Sequence, residues 1–177
     1  AKPLYTRADA VKSLKLIKAV KPGRSFEPLP GWKASFTSAG HILGAASLLL
    51  EVAGHRILFS GDLGRDDDLI MNPPDRPPVA DTVLIESTYG DREHPDENIL
   101  AELGPLLAKV AARGGVAVVP VFAVGRAQAL LHAINLLKAQ KIVPKSLPVF
   151  LDSPMAVKTT HLFDDHMGEH RLTAPEA

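Results

Sequence analysis

Residues 46–62, ASLLLEVAGHRILFSGD, hold two apolar runs on either side of Gly54 and His55. Runs of this length, rich in Leu, Val and Ile and separated by so short a break, predict two antiparallel strands joined as a hairpin with Gly54 and His55 between them. Immediately upstream, residues 33–40, KASFTSAG, read as a further strand, so this third of the chain predicts an antiparallel sheet. Residues 21–31, KPGRSFEPLPG, separate it from what precedes, because Pro22, Pro28 and Pro30 remove backbone donors and Gly23 and Gly31 permit tight turns. Over residues 6–20, Ala10, Leu14 and Ile17 share one face with Lys12, Lys15 and Lys18 opposite, which predicts an amphipathic helix.

Downstream of the hairpin the rhythm changes. Residues 66–78, DDDLIMNPPDRPP, are acidic and then proline-rich, the composition of a solvated crossing loop and of a domain boundary. Beyond it, ADTVLIES at 80–87 reads as a buried strand, 97–115 as a helix ending in glycines and VAVVPVF at 116–122 as a strand. Residues 125–140 then predict a helix, LPVFLDS at 147–153 a third strand, and 154–167 a helix with proline at its start. Strands alternating with helices imply right-handed crossovers and a parallel sheet. The class is α/β.

Composition narrows the chemistry. The 177 residues are 46% apolar, enough for a substantial core. Twenty basic residues balance twenty acidic ones, so nucleic-acid binding is not an electrostatic default, although a local basic groove remains compatible with neutrality. The absence of cysteine removes disulfides, thiolate metal sites and cysteine nucleophiles, leaving seven His with Asp and Glu as ligands and acids. No run approaches the roughly 18 apolar residues of a membrane span, and the first residues lack the apolar stretch of a signal peptide. A soluble, cytoplasmic protein without a membrane partner is the expectation.

Three carboxylate or imidazole positions stand out. In SAGHILGAA, Gly40 and Gly44 flank His41 between two strands, a placement suited either to a metal ligand or to a turn histidine. In FSGDLG, Asp62 follows a strand and a small Ser-Gly pair, where it can hold a cation or close an Asx turn. In IESTYGDR, the apolar run before Glu86 ends at the carboxyl end of a strand, the edge at which α/β proteins place their sites. Arg126, at the start of the helix in GRAQALL, is suited to a nucleic-acid phosphate or to a structural ion pair, and Arg92 has the same two readings. Trp32 and Tyr89 are the aromatic candidates for base stacking, and a tryptophan in the position of Trp32 is more often a core residue. HLFDDHMGEH sets His166 and His170 four apart near Asp164, Asp165 and Glu169, but lacks the HExxH order and reads as a charged helix end with Phe163 and Met167 facing a core.

Taken in order, GHILGAA, SGDLG and ADTVLIESTYGDR resemble the later motifs of the metallo-β-lactamase-fold nucleases of the β-CASP family. The resemblance continues through PVFAVGRAQALL and LDSPMA, from about residue 36 to residue 155, and is nearest to the bacterial and archaeal members similar to the eukaryotic pre-mRNA cleavage endonuclease. It implies part of an αββα sandwich followed by part of an inserted parallel-sheet β-CASP domain. It also implies two zinc ions and a metal-bound water that hydrolyses phosphodiesters. His41 would bind one zinc, Asp62 would bridge both, and Glu86 would support a catalytic histidine by a hydrogen bond. The family's His-x-His-x-Asp-His cluster does not occur in these residues, and its two later histidine motifs are not identifiable.

The expectation is therefore a fragment. Residues 1–79 would form the C-terminal part of the first metallo-β-lactamase half, and 80–177 the incomplete start of the β-CASP region. Lacking most ligands, the isolated chain is expected to bind zinc weakly and to show no nuclease activity. RNA is the expected substrate and a homodimer a further expectation. A DNA exonuclease acting on single strands, or a catalytically empty nucleic-acid-binding or scaffold subunit, is the alternative. Small-molecule hydrolases of the same fold rank lower, because they do not share ESTYGDR and GRAQALL.

Overall fold

A computed structural model describes residues 3–93 and 98–173. Its elements run α1 (Arg7–Leu14), β1 (Phe26–Leu29), β2 (Trp32–Ser38), β3 (Ala46–Val52), β4 (His55–Phe59), β5 (Thr82–Leu84), α2 (Ile99–Ala112), α3 (Arg126–Ala139) and α4 (Pro154–Asp165). The five strands form one sheet in sequence order. The first three pairings are antiparallel, and β4 pairs with β5 in parallel. The mixed α/β class is as expected.

The hairpin is present with its turn moved by one residue. Val52 pairs with His55, so Ala53 and Gly54 form the two-residue connection. Both have positive φ, 50° and 81°, the combination a tight hairpin turn requires to match the twist of its strands. β1 was expected to be irregular. Instead residues 26–29 pair along β2, and Pro28 is tolerated because β1 is an edge strand. Phe26 stacks on Phe36 with centroids 5.5 Å apart.

α1 is shorter than its sequence pattern. Thr6 and Asp9 form a reciprocal capping box, but the helix stops at Leu14, and Leu16 and Ile17 are left exposed. With no element packed against its apolar face among the described residues, nothing repays the extension.

The second half departs further from expectation. Residues 80–87 were read as a buried strand, yet β5 is three residues long and exposed. The segments 116–122 and 147–153, expected as parallel strands, pair with no strand among the described residues; Val116, Val118, Phe122 and Phe150 are each more than 80% exposed. A buried parallel strand needs neighbours on both sides and helices on both faces, and these stretches have neither. α2, α3 and α4 lie within the three expected helical segments.

Two apolar clusters hold these parts. Leu107, Leu137 and Val143 pack α2 against α3 and the turn that follows it. Ile70, Met71, Phe163 and Leu172 form the other, together with Leu43, Leu69 and Ala129. The loop 66–78 is thus not wholly solvated: Asp68 accepts from the backbone of Ile70 and Met71, and turns both side chains inward. Met167, expected to face the core, is 36% exposed, while Phe163 is buried as expected.

Candidate functional site

β2, β4 and β5 run in the same direction, so their carboxyl ends share one edge of the sheet. The loops that leave this edge carry His41, Asp62 and Glu86. β2 ends at Ser38 and leads into the 39–45 loop, which closes on itself where Ala39 N donates to Ala45 O at 2.9 Å. β4 ends at Phe59 and leads into 60–64. Gly64 N donates to Ala39 O at 2.7 Å, which ties the two loops backbone to backbone. The approach requires glycine, since a Cβ at position 64 would overlap Gly40 O and lie 2.7 Å from His41 N.

Two buried serines knit the edge together. Ser47 Oγ donates to Ser60 O at 2.7 Å, Ser60 N donates to Leu84 O at 2.9 Å, and Glu86 N donates to Ser60 Oγ at 2.9 Å. The ends of β3, β4 and β5 are therefore joined through one residue.

Glu86 is held at both oxygens. Oε1 accepts from Leu63 N at 2.8 Å and Oε2 from Thr88 Oγ1 at 2.7 Å. The Thr88 hydroxyl first and the Leu63 amide second lower the carboxyl pKa below its ordinary value, outweighing desolvation, and the charge of nearby His41 adds to the effect. Glu86 is thus an ionised brace for the residue that follows Asp62, with little free capacity to coordinate a metal. His41 and Asp62 are exposed, and neither side chain makes a hydrogen bond or ion pair among the described residues.

The second half reaches the same edge. A Cβ at Gly125, the N-cap of α3, would lie 3.0 Å from Ile42 Cγ2, so the start of α3 abuts the His41 loop. Arg126 follows, exposed and with no ion pair among the described residues. Gly44 N donates to Glu169 Oε2 at 3.2 Å, which holds the other end of that loop. The remaining candidates make other contacts, His166 through the same Glu169. Arg92 pairs with Asp91 at 3.2 Å and sits 5.8 Å over Tyr89. His166 is exposed, 3.4 Å from Glu169, whereas His170 is buried, bonded to Phe163 O and Leu172 N. Trp32 lies on β2 at the opposite end from His41.

Sequence reasoning missed Ser47, and it placed Glu169 only in the charged helix end beside His166, not at the His41 loop. Ser47 left a signal, one polar residue in an otherwise apolar run; the bond from Gly44 to Glu169 left none, its partners being 125 residues apart.

A zinc centre takes three or four protein ligands. This edge offers one imidazole and one uncommitted carboxylate, and the described residues contain no group of three or more His, Cys, Asp or Glu able to hold a metal. His41 and Asp62 fit part of such a centre and do not complete one, so no reaction step is derived through a metal here.

No family model matches the sequence. Among curated proteins, ribonuclease TTHA0252 of Thermus thermophilus is 34% identical over 162 residues, 91% of this chain and 37% of that protein. Endoribonuclease YSH1 of Kluyveromyces lactis is 32% identical over 169 residues, 93% of this chain and 22% of its own length. The cleavage and polyadenylation specificity factor 73 of Drosophila melanogaster is 33% identical over 166 residues, 93% of this chain and 24% of that protein. Over about nine tenths of its own length the chain is homologous to the family that these ribonucleases and this cleavage factor represent. The likeness read from GHILGAA, SGDLG and ESTYGDR is to that family, and the chain spans between a fifth and two fifths of the length of these relatives. No helix among the described residues is long and apolar enough to cross a membrane.

Proposed function

We propose that this chain is one portion of a metal-dependent β-CASP ribonuclease that hydrolyses RNA phosphodiesters, with zinc as the metal, and that it supplies one edge of the active site. His41 and Asp62 are the metal ligands this portion contributes, and Arg126 contacts a backbone phosphate beside them. Glu86 is a positioning residue whose carboxylate fixes the Asp62 loop and sets a negative charge near His41. Residues 1–79 belong to the metallo-β-lactamase layer and 80–177 to the inserted domain, and the protein acts in the cytoplasm as a homodimer.

The observation that carries this reading is the convergence of three loops, from the parallel-running ends of β2, β4 and β5, on one sheet edge. Edges of that kind are where α/β proteins place catalytic groups.

The test is cleavage of matched labelled RNA and DNA oligonucleotides by the longer protein that contains this segment. RNA turnover abolished by a chelator, and by His41→Ala or Asp62→Ala, is the expected result. Turnover that survives either substitution would overturn the site assignment, and preferential DNA cleavage would replace RNA as the substrate. The 177-residue chain alone is expected to show no turnover. Chelator-sensitive cleavage by it, lost in His41→Ala, would refute the incomplete ligand set.

A further inference from the structure

The net charge of zero conceals a segregation. Residues 1–33 hold eight basic and two acidic side chains, and the remaining 144 residues hold twelve basic and eighteen acidic, so the two parts carry +6 and −6. Within the first part Lys12, Lys15, Lys18, Lys21 and Arg24 recur every three residues. All five are exposed, and none makes an ion pair or side-chain hydrogen bond among the described residues. Among the described residues no other helix or strand packs on α1.

The arm that carries this stripe joins the sheet at Gly23, just ahead of β1. Phe26 pairs with Ala34, and Gly23 N donates to Phe36 O at 2.9 Å, so tracing the chain back from β1 runs along β2 toward Ser38. The stripe therefore leaves the sheet at the end that carries His41, Asp62 and Glu86.

We propose that the stripe from Lys12 to Arg24 is a docking track for the phosphate backbone of single-stranded RNA, leading it to that edge. This rests on the ribonuclease reading for the identity of the polyanion. Unpaired cations at regular spacing release counterions when they meet phosphates, and that is the usual source of sequence-independent affinity. An acidic membrane surface fits less well. An interfacial anchor needs a sustained apolar face opposite its cations, whereas α1 is eight residues long and the stripe continues past it through turns.

The experiment measures binding of the 177-residue chain to a fluorescent single-stranded RNA 20-mer by anisotropy, from 50 to 200 mM KCl, without metal. Five phosphate contacts give a slope of about −3.5 in log K against log salt, close to a hundredfold loss over that range. K12Q/K15Q/K18Q leaves two contacts, a slope of about −1.4 and a loss of about sevenfold. K138Q/K141Q/K145Q, at the far side of α3, keeps the parent slope. An unchanged slope in the first variant, with its circular dichroism and thermal transition intact, overturns the proposal. So does an absence of RNA binding at 50 mM KCl, or binding to phosphatidylserine vesicles in place of RNA. Because no cleavage is scored, failure here leaves the catalytic reading standing, and loss of RNA turnover in His41→Ala leaves the track untouched.

Discussion

Replacing Gly64 by alanine tests whether the loops of His41 and Asp62 depend on each other. The added Cβ would lie 2.7 Å from His41 N, whereas ordinary van der Waals contact begins near 3.4 Å, and it would overlap Gly40 O. The loops must therefore part by more than half an ångström at that point, which stretches or breaks the 2.7 Å bond from Gly64 N to Ala39 O. Ala39 is fully buried, so its carbonyl would lose a partner where water does not reach. Leaving such a group unsatisfied costs about 1–3 kcal/mol, and steric displacement brings the expected destabilisation to about 2–4 kcal/mol. In urea, with a slope of about 2 kcal/mol per molar, the unfolding midpoint falls by about 1–2 M. Gly168→Ala is the control, because a Cβ there meets nothing within 4 Å and its φ is not positive. A Gly64→Ala midpoint within about 0.2 M of the parent, at equal slope, would refute the loop-to-loop contact.

Other expectations follow from the same structure. Thr88→Val removes the principal cause of the lowered Glu86 pKa, so the carboxyl titration followed by carbon NMR should move upward; an unmoved titration contradicts the bond. Because the folded-state value is depressed, Glu86 contributes stability that is present above its unfolded pKa and lost as pH falls through the folded one. Thr88→Val should accordingly reduce stability at neutral pH more than in acid, where the two proteins converge. Leu137→Ala, at a fully buried site between α2 and α3, should cost about 2–5 kcal/mol in chemical denaturation, whereas Leu106→Ala, 62% exposed, should change it by less than about 0.5 kcal/mol. Comparable losses at both sites would show that this cluster is not the core. Glu169→Ala should raise hydrogen exchange at the Gly44 amide, with Glu169→Gln partly restoring protection; equal protection in all three proteins would dissociate Glu169 from the His41 loop.

The hairpin shows what a local pattern can carry. Two apolar runs and a two-residue break specify β3 and β4, because pairing strands so close in sequence needs little more than the turn. The break itself was misplaced by one residue, since either Ala53–Gly54 or Gly54–His55 satisfies the pattern and only register decides. VAVVPVF shows the limit. Its composition suits a strand, but a strand exists by virtue of a ladder partner, and none is present among the described residues. Ile70 and Met71 fail in the other direction, being read as solvated because acids and prolines surround them and buried because Phe163 and Leu172 arrive from a hundred residues away.

By itself the sequence determined the α/β class, the three helices of the second half, the family likeness and His41, Asp62 and Glu86 as candidates. Each rests on residues close together in the chain, where residue type and spacing act directly on the backbone. The tertiary structure alone decided that these three positions share an edge, that Glu86 is tied to Leu63 and Thr88, and that Glu169 and the start of α3 reach the His41 loop. Those relations depend on strand direction and on hydrogen bonds between distant segments, and no local periodicity encodes which distant donor a carboxylate will meet.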